Sequence, residues 1–304
     1  MNDPVHAPRI CLPLGTELTA ALAKVVEAIG SVGFHQCMLD LLGKVCAVDS
    51  GGAMIFHRNR GPQRLVHRFH LSERSIPEDS YLSGPYALDP LYQMFLQGAP
   101  DGAYWLPETA PDDFFESEYY HQFYSRIGLS DEIDVMWRID GDTALLLFLE
   151  RGARNPTFQA ADLAAIELLL PFVFAASSKH HQATAPGPGL DAGDLMHRKV
   201  QSTIENFASS LLTQREREVL FYMLRGYSSG MTAQRLATSE GTIKIHRKNI
   251  HRKLDIGSQA ELFSLFISCI PFASPDAQKD PLEVYQNKPS TRRSTPSASP
   301  VAQS

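Results

Sequence analysis

The stretch Ser239-Glu-Gly-Thr-Ile-Lys-Ile-His-Arg-Lys-Asn-Ile-His-Arg-Lys-Leu254 decides how the second half of this chain folds. Ser239 is a good N-cap, because its hydroxyl can accept a hydrogen bond from an amide that the first helical turn leaves unpaired. As a helix, the stretch has an apolar face made of Ile243, Ile250 and Leu254. A second face carries, at i, i+3, i+4, i+7 and i+8, the basic residues Lys244, Arg247, Lys248, His251 and Arg252. The major groove of DNA admits such a helix, although an isolated basic helix is more often a solvated surface.

Three further helices are predicted around this basic helix. Thr213-Gln-Arg-Glu216 and Ser258-Gln-Ala-Glu261 are capping boxes, each of which opens an apolar helical stretch. Ser228 caps a short helix between them, and Pro271 stops the last helix. Two helices joined by a tight turn, the second of them basic, are typical of a helix-turn-helix fold.

The motifs of this region resemble, in order and spacing, the signature of the LuxR-type helix-turn-helix domain. They are Leu212-Thr-Gln-Arg-Glu216, Glu218-Val-Leu220, Gly226-Tyr-Ser228, Thr242-Ile-Lys244, His246 and Lys253-Leu254. The resemblance implies an all-α four-helix domain that binds promoter DNA as a homodimer and regulates transcription, with RNA polymerase as a further candidate partner. It implies a DNA-binding set of Thr242, Lys244, Arg247, Lys248, His251 and Arg252.

The short second helix departs from the family pattern. Thr232 stands where a buried Ile is usual, and Gly230 weakens the helix by roughly 1 kcal/mol relative to Ala. We expect this helix to be less stable than is typical, and DNA binding to be weakened but not lost. The alternative hypothesis is an interaction protein that has lost DNA binding and titrates another regulator.

The charge distribution favours a nucleic-acid partner for the second half. The 304-residue chain carries a net charge of −6. Between Thr213 and Ala260, nine basic and four acidic residues give +5, so the remainder carries −11. A basic module beside an acidic one is typical of a tethered DNA-binding protein.

Other chemistry finds little support in the sequence. The four cysteines are scattered without metal-ligand spacing, and no phosphate loop, nucleophile elbow or HExxH helix occurs. We therefore predict no enzymatic activity, no catalytic residue, no metal and no cofactor. The most apolar run, Leu163 to Ala176, is interrupted by Glu167 and Pro171. Together with the absence of a signal-peptide pattern, this predicts a soluble cytoplasmic protein without a membrane partner.

The first half mixes helical and strand patterns. Helical spacing is predicted early in the chain, for Pro90 onward, for Phe114 to Tyr124 and for Ala160 to Ala176, and two strand pairs are predicted near 53–69 and 132–150. These elements predict an α+β sensor-like domain, an antiparallel sheet with flanking helices, which is loosely similar to autoinducer-binding and GAF-like domains.

A cluster of aromatic residues suggests an effector site in this first domain. Quorum-sensing members of the family have aromatic residues around an Asp-Pro pair, and here Asp89-Pro90 is followed by Tyr104 and Trp105. The predicted ligand-binding residues are Tyr86, Asp89, Tyr104 and Trp105, and the predicted effector is small and apolar. The alternative is that these aromatics fill the core and a subunit interface, and that Asp89 caps the helix that Pro90 begins.

Four segments are predicted along the chain. Residues 15–182 form the sensor or dimerisation domain, and 183–194, rich in Pro, Gly and Ala, form a linker. Residues 195–272 form the DNA-binding domain. Residues 274–304, rich in Pro and Ser with few large apolar side chains, are predicted to be a disordered tail.

Overall fold

The computed structural model describes residues 15–68, 78–152, 155–184, 193–275 and 279–287. Most of the predicted linker, residues 185–192, and most of the predicted tail lie outside the described residues. The predicted division into segments therefore stays a prediction.

The first half is built on a five-stranded antiparallel sheet with the strand order β2-β1-β5-β4-β3. Its strands are β1 Ser50–His57, β2 Gln63–Arg68, β3 Gly102–Trp105, β4 Leu129–Arg138 and β5 Thr143–Gly152. The helices of this half are α1 Thr16–Glu27, α2 Phe34–Leu42, α3 Pro90–Leu96, α4 Leu106–Thr109 and α5 Ala160–Thr184. The predicted α+β architecture is confirmed.

The two faces of the sheet bury different sets of side chains, because successive residues of a strand point to opposite sides. Leu145, Leu147 and Leu149 of β5 belong to the core that packs against α1, α2 and α5. Leu146 and Phe148 belong to a second core. That second core includes aromatic residues from short turns that cover the other face. These turns, which we call the turn layer, are 3₁₀ turns at Glu78–Ser83, Pro85–Leu88, Phe114–Glu116 and Ser125–Ile127 and a π-helical turn at Tyr120–Tyr124.

The second half is helical. Its elements are α6 Gly193–Asn206, α7 Gln214–Leu224, α8 Ser229–Arg235, α9 Glu240–Leu254, α10 Gln259–Cys269 and α11 Pro281–Gln286. Thr213 and Glu216 form the predicted capping box at the start of α7. The hydroxyls of Ser228, Ser239 and Ser258 cap α8, α9 and α10. The four predicted helices, α7 to α10, are therefore confirmed, with α6 before them and α11 after them.

The disorder predicted from residue 274 onward is wrong for residues 279–287. Asp280 caps α11 through the Leu282 amide at 2.9 Å. The Asp280 carboxylate also accepts hydrogen bonds from the backbone amides of Ala208 and Ser210, each at 2.9 Å. Leu282 is fully buried. This short segment is ordered because one carboxylate and one apolar side chain anchor it to the helical half.

The two halves pack directly against each other. One continuous hydrophobic core runs from the turn layer of the first half into α6, α7, α9 and α10. The Tyr86 hydroxyl lies 3.0 Å from Nδ1 of His197 in α6, and the Asp113 amide donates to the Gly226 carbonyl at 3.0 Å. The turn layer therefore contacts the helical half through both packing and hydrogen bonds.

Among the described residues, one helix, α5, is long and apolar enough to cross a membrane by length and composition alone. Its inner face packs on the sheet through Ile166, Leu169 and Val173. Packing in a core explains these apolar residues without a bilayer. Part of the outer face stays apolar, since Leu168 is 47% exposed.

Candidate nucleic-acid interface and effector cavity

Helix α9 is held in place by its apolar face and by one buried ion pair. Ile243 and Ile250 are fully buried, and α7 and α8 both pack against this helix. The Lys253 ammonium lies 2.7 Å from the buried Glu216 carboxylate. Burial alone would raise the pKa of Glu216, but hydrogen bonds from Lys253 and Thr213 outweigh it and lower that pKa. Lys253 thus fixes the basic helix to its scaffold.

A row of exposed cations runs along the outer face of α9. Lys244, Lys248 and Arg252, at i, i+4 and i+8, are all exposed. Lys244 pairs with Glu240 at 2.7 Å, but both side chains are largely in solvent, where such a pair contributes only about 0.2–1 kcal/mol. Because this ion pair is weak, Lys244 remains available to bind a phosphate, as Lys248 and Arg252 are. We call these three residues the cationic row.

Ile245, which the sequence patterns did not single out, lies exposed on the same helix between the cations. Its side chain is 62% exposed. In a major groove, an apolar side chain can contact the methyl group of thymine. The signal was present in the sequence, since Ile245 falls outside the apolar face of Ile243 and Ile250.

The remaining predicted DNA-binding residues lie at the start and on the flank of α9, and all are half-buried. Thr242 lies in the first turn, where its hydroxyl is 2.8 Å from that of Ser239. Arg247 reaches the Tyr227 carbonyl at 3.5 Å. Burial lowers the pKa of Arg247, and the carboxylate of Asp113 opposes that shift. Burial and the charge of Arg247 lower the pKa of His251. Of these three residues, Arg247 thus lies near Asp113 of the first half.

The loop of Asp112 and Asp113 docks beside that flank. Asp112 accepts hydrogen bonds from the amide and the hydroxyl of Ser228, the cap of α8. Gly226 sits in the left-handed region at φ +81°, and a Cβ there would lie 2.9 Å from Cα of Phe114. Only glycine can adopt this left-handed conformation without strain and also lie this close to Phe114. The acidic half thus occupies space next to part of the basic surface.

In α8, the polar side chain that stands in place of the usual isoleucine has a local hydrogen-bond partner. Thr232 is buried, and its hydroxyl donates to the Ser228 carbonyl at 2.7 Å. Arg215 donates to the Leu236 carbonyl at 2.6 Å, across from α7. The polar replacement therefore leaves no unpaired buried hydroxyl, which removes part of the reason to expect weak DNA binding.

The first half contains a cavity of about 80 Å³ between the sheet and the turn layer. A single water needs roughly 10–15 Å³, so the cavity has room for a small molecule. Asp89 lines it, beside Tyr81, Phe123 and Phe148. The cavity occupies the face of the sheet that the turn layer covers.

Of the four predicted ligand-binding residues, only Asp89 reaches this cavity. Tyr86 is buried against His197 of the helical half. The Tyr104 hydroxyl donates to the Pro100 carbonyl at 2.5 Å. Trp105 packs on the opposite face of the sheet, where its indole donates to the Asp131 carboxylate at 2.9 Å. The structure separates these residues although they are close in sequence. Tyr86 lies in a 3₁₀ turn, whereas Tyr104 and Trp105 are successive residues of β3 and point to opposite faces of the sheet. Asp89 also caps α3, as the alternative interpretation expected.

Comparison with known proteins assigns the family. Residues 210–266 match the family described as "Bacterial regulatory proteins, luxR family". A protein of Aeromonas salmonicida, "Putative HTH-type transcriptional regulator in exeN 3'region", is 31% identical over 184 residues, 59% of this chain and 93% of that protein. The chain belongs to the LuxR family of bacterial regulatory proteins. It is a transcriptional regulator and not an enzyme.

Two further proteins are similar to parts of this LuxR-family chain. "Response regulator protein TodT" of Pseudomonas putida is 44% identical over 64 residues, 21% of this chain and 27% of that protein. The solved structure of the VqsR LBD domain from Pseudomonas aeruginosa is 29% identical, with a TM-score of 0.48, and covers 56% of this chain and 99% of that one.

Proposed function

We propose that this LuxR-family regulator binds operator DNA as a homodimer and that a small effector in the first half controls the binding. The proposed DNA contacts are Thr242, Lys244, Arg247, Lys248, His251 and Arg252, now joined by Ile245. The observation that carries the proposal is the exposed cationic row on α9, backed by a fully buried apolar face. RNA polymerase, as a further partner, and a cytoplasmic location stay predictions.

The proposed dimer contact lies on α5 rather than on α10. An apolar stripe on α10 would be the other candidate for this contact. Phe263 and Phe266 of that stripe are instead buried, and Phe263 faces Tyr119 of the first half at 6.5 Å between ring centroids. The exposed Leu168 on α5 remains open to a partner. Leu168→Glu should give monomers in sedimentation, whereas Glu167→Gln beside it should not.

A homodimer places two basic helices on one side of the duplex, about 34 Å apart, so the operator should be an inverted repeat. If each subunit neutralises four phosphates, log K against log salt should have a slope near −7, since each phosphate contributes about 0.9.

The proposed effector control uses the turn layer. Asp89 lines the cavity and accepts a hydrogen bond from the Tyr119 hydroxyl at 3.5 Å. Tyr119 contacts Phe263 of α10. A ligand that shifts Asp89 would therefore move a side chain that supports the helical half.

Lys248→Ala tests the DNA contacts, with Lys24→Ala as a matched control, because Lys24 is an exposed lysine on the distant helix α1. Lys248→Ala should weaken operator binding and reduce the salt slope by about 0.9 for each phosphate that the variant no longer neutralises. Lys24→Ala should change neither quantity. An operator affinity that is independent of salt and of sequence would favour the alternative of an interaction protein that titrates another regulator.

A further inference from the structure

Among the residues that the structure describes, four carboxyl groups line the cavity of the first half. They belong to Asp89, Glu132, Asp134 and Glu150, and each of these residues is at least nine-tenths buried. Arg64 and His67 also line the cavity. Even if both were charged, four carboxylates would exceed them by two negative charges. An apolar effector would leave that excess uncompensated in a site with little water.

The register of the sheet brings three of these carboxyl groups together. Glu132 of β4 lies directly opposite Glu150 of β5, and Asp134 follows on the same face of β4. Like charges placed directly opposite each other on neighbouring strands destabilise a sheet. Such a cluster persists in a fold only when protons or a cation compensate it.

The carboxyl groups differ in how completely they are paired. Asp89 accepts hydrogen bonds from the amides of Leu91 and Tyr92 and from two tyrosine hydroxyls, so it is saturated. Glu132 pairs with the Tyr124 hydroxyl. Asp134 shares a hydrogen bond with Glu132, yet among the described residues its Oδ1 has no hydrogen-bond partner, although only 6% of the residue is exposed. Glu150 Oε2 also has no hydrogen-bond partner there and lies 3.9 Å from Nε2 of His67. These two oxygens are the open positions of the cavity.

Burial gives Glu132 and Asp134 a preference for the protonated state when no ligand is present. Burial and the neighbouring Asp134 and Glu150 raise the pKa of Glu132 well above the ordinary value. Burial, Asp89 and Glu150 raise the pKa of Asp134. A bound cation can take the place of such protons, because it supplies the positive charge that the ionised carboxylates lack.

We propose that this cavity binds a small organic cation, an amine or a guanidine, whose charge pairs with Asp134 and Glu150. The aromatic rings of Phe123 and Phe148 line the same cavity and suit a cation, which is attracted to the face of a ring. The volume of about 80 Å³ fits a short ligand. A metal ion is disfavoured, since no three or more His, Cys, Asp or Glu side chains among the described residues are arranged so that they could hold one. The inference rests on the proposed effector control only for its effect on DNA.

Calorimetry with the full chain tests the proposal, with putrescine and agmatine as probes. Butane-1,4-diol is the matched neutral control, because it has the length of putrescine without its charges. We expect saturable binding of at least one of the two amines and none of the diol. Equal binding of the diol, or no binding of either amine, would overturn the proposal. Displacement of the amine by low concentrations of magnesium would overturn it in favour of a metal site.

Two variants assign the contacts. Asp134→Asn and Glu150→Gln should each weaken amine binding by about tenfold or more, because each removes one partner of a buried charge pair. Asp142→Asn, in the exposed turn between β4 and β5, should leave amine binding unchanged. Asp134→Asn should also raise the melting temperature of the ligand-free chain at neutral pH, because the amide is uncharged without having to bind a proton. A purely structural Asp134 would instead lower it.

The same measurements separate this inference from effector control. If the amine binds but operator affinity does not change, the cation site stands and effector control fails. If no amine binds, the cation site fails whatever the operator affinity.

Discussion

Gly226→Ala should separate the two halves of the chain and thereby strengthen operator binding. Gly226 has φ +81°, and an added Cβ would lie 2.9 Å from Phe114 Cα and 3.0 Å from Ser117 Cβ. The left-handed conformation costs a non-glycine residue about 1–2 kcal/mol, and the overlap adds about 1–3 kcal/mol, or about 2–5 kcal/mol together. Undocking relieves the second contribution, so the variant favours the open arrangement.

Opening should expose the flank of α9 that the Asp113 loop now faces. Arg247 would lose its acidic neighbour and become available for a phosphate. One charge-assisted hydrogen bond is worth about 1.5–3 kcal/mol, which corresponds to a gain in affinity of about tenfold or more. The salt slope should steepen by about 0.9 for each additional phosphate that is neutralised.

Gly98→Ala is the matched control for this variant. Gly98 has φ +85°, and a Cβ there would meet nothing within 4 Å. It therefore carries the same conformational cost without the clash. Urea denaturation should show a loss of about 1–2 kcal/mol for Gly98→Ala, and fluorescence anisotropy should show unchanged operator binding. If Gly226→Ala binds the operator no more tightly than Gly98→Ala, docking does not restrain DNA binding and the argument fails.

Three single features of the structure give further predictions. Ile245→Ala should reduce discrimination at one base pair in a binding-site selection while leaving the salt slope unchanged, because it removes a methyl contact and no charge. Asp280→Ala should destabilise the chain in urea by about 1–3 kcal/mol, since it leaves the amides of Ala208 and Ser210 without their acceptor. The raised pKa values of Glu132 and Asp134 mean that the folded chain holds protons that the unfolded chain releases, so stability should fall as the pH rises above the ordinary carboxyl range. Asp134→Asn should flatten that fall, and a stability that instead rises with pH in this range would contradict the assignment.

The helical half could be predicted from the sequence because its signals are local. The caps at Thr213, Ser228 and Ser239 depend on residues within three positions of each other, and so do the two faces of α9. The tertiary partners could not be predicted in this way. Lys253 belongs to the basic run in sequence, but its partner Glu216 lies 37 residues away on α7.

The residues that line the cavity could not be predicted by grouping residues that are close in sequence. Tyr86, Tyr104 and Trp105 were grouped because they are close in sequence, yet they point to three different places. Glu132 and Glu150 are far apart in sequence but equidistant from Gly141, the centre of the turn between β4 and β5. Pairing the two predicted strands about that turn would have placed both carboxylates on one face of the sheet.

The segment whose secondary structure was predicted least well contacts both the cavity and the DNA-binding half. Residues 114–124 were predicted as one helix, but they form a 3₁₀ turn and, after Tyr119, a π-helical turn. A regular helix buries one stripe and leaves the rest to solvent. Here Phe123 and Tyr124 line the cavity, whereas Phe114 lies against Gly226 and Tyr119 against Phe263. A segment whose apolar side chains pack on two different surfaces cannot keep a single apolar stripe. It therefore lacks the periodicity by which a helix is recognised in a sequence. The effector control proposed above requires such a segment, because the segment contacts both the cavity and the helical half.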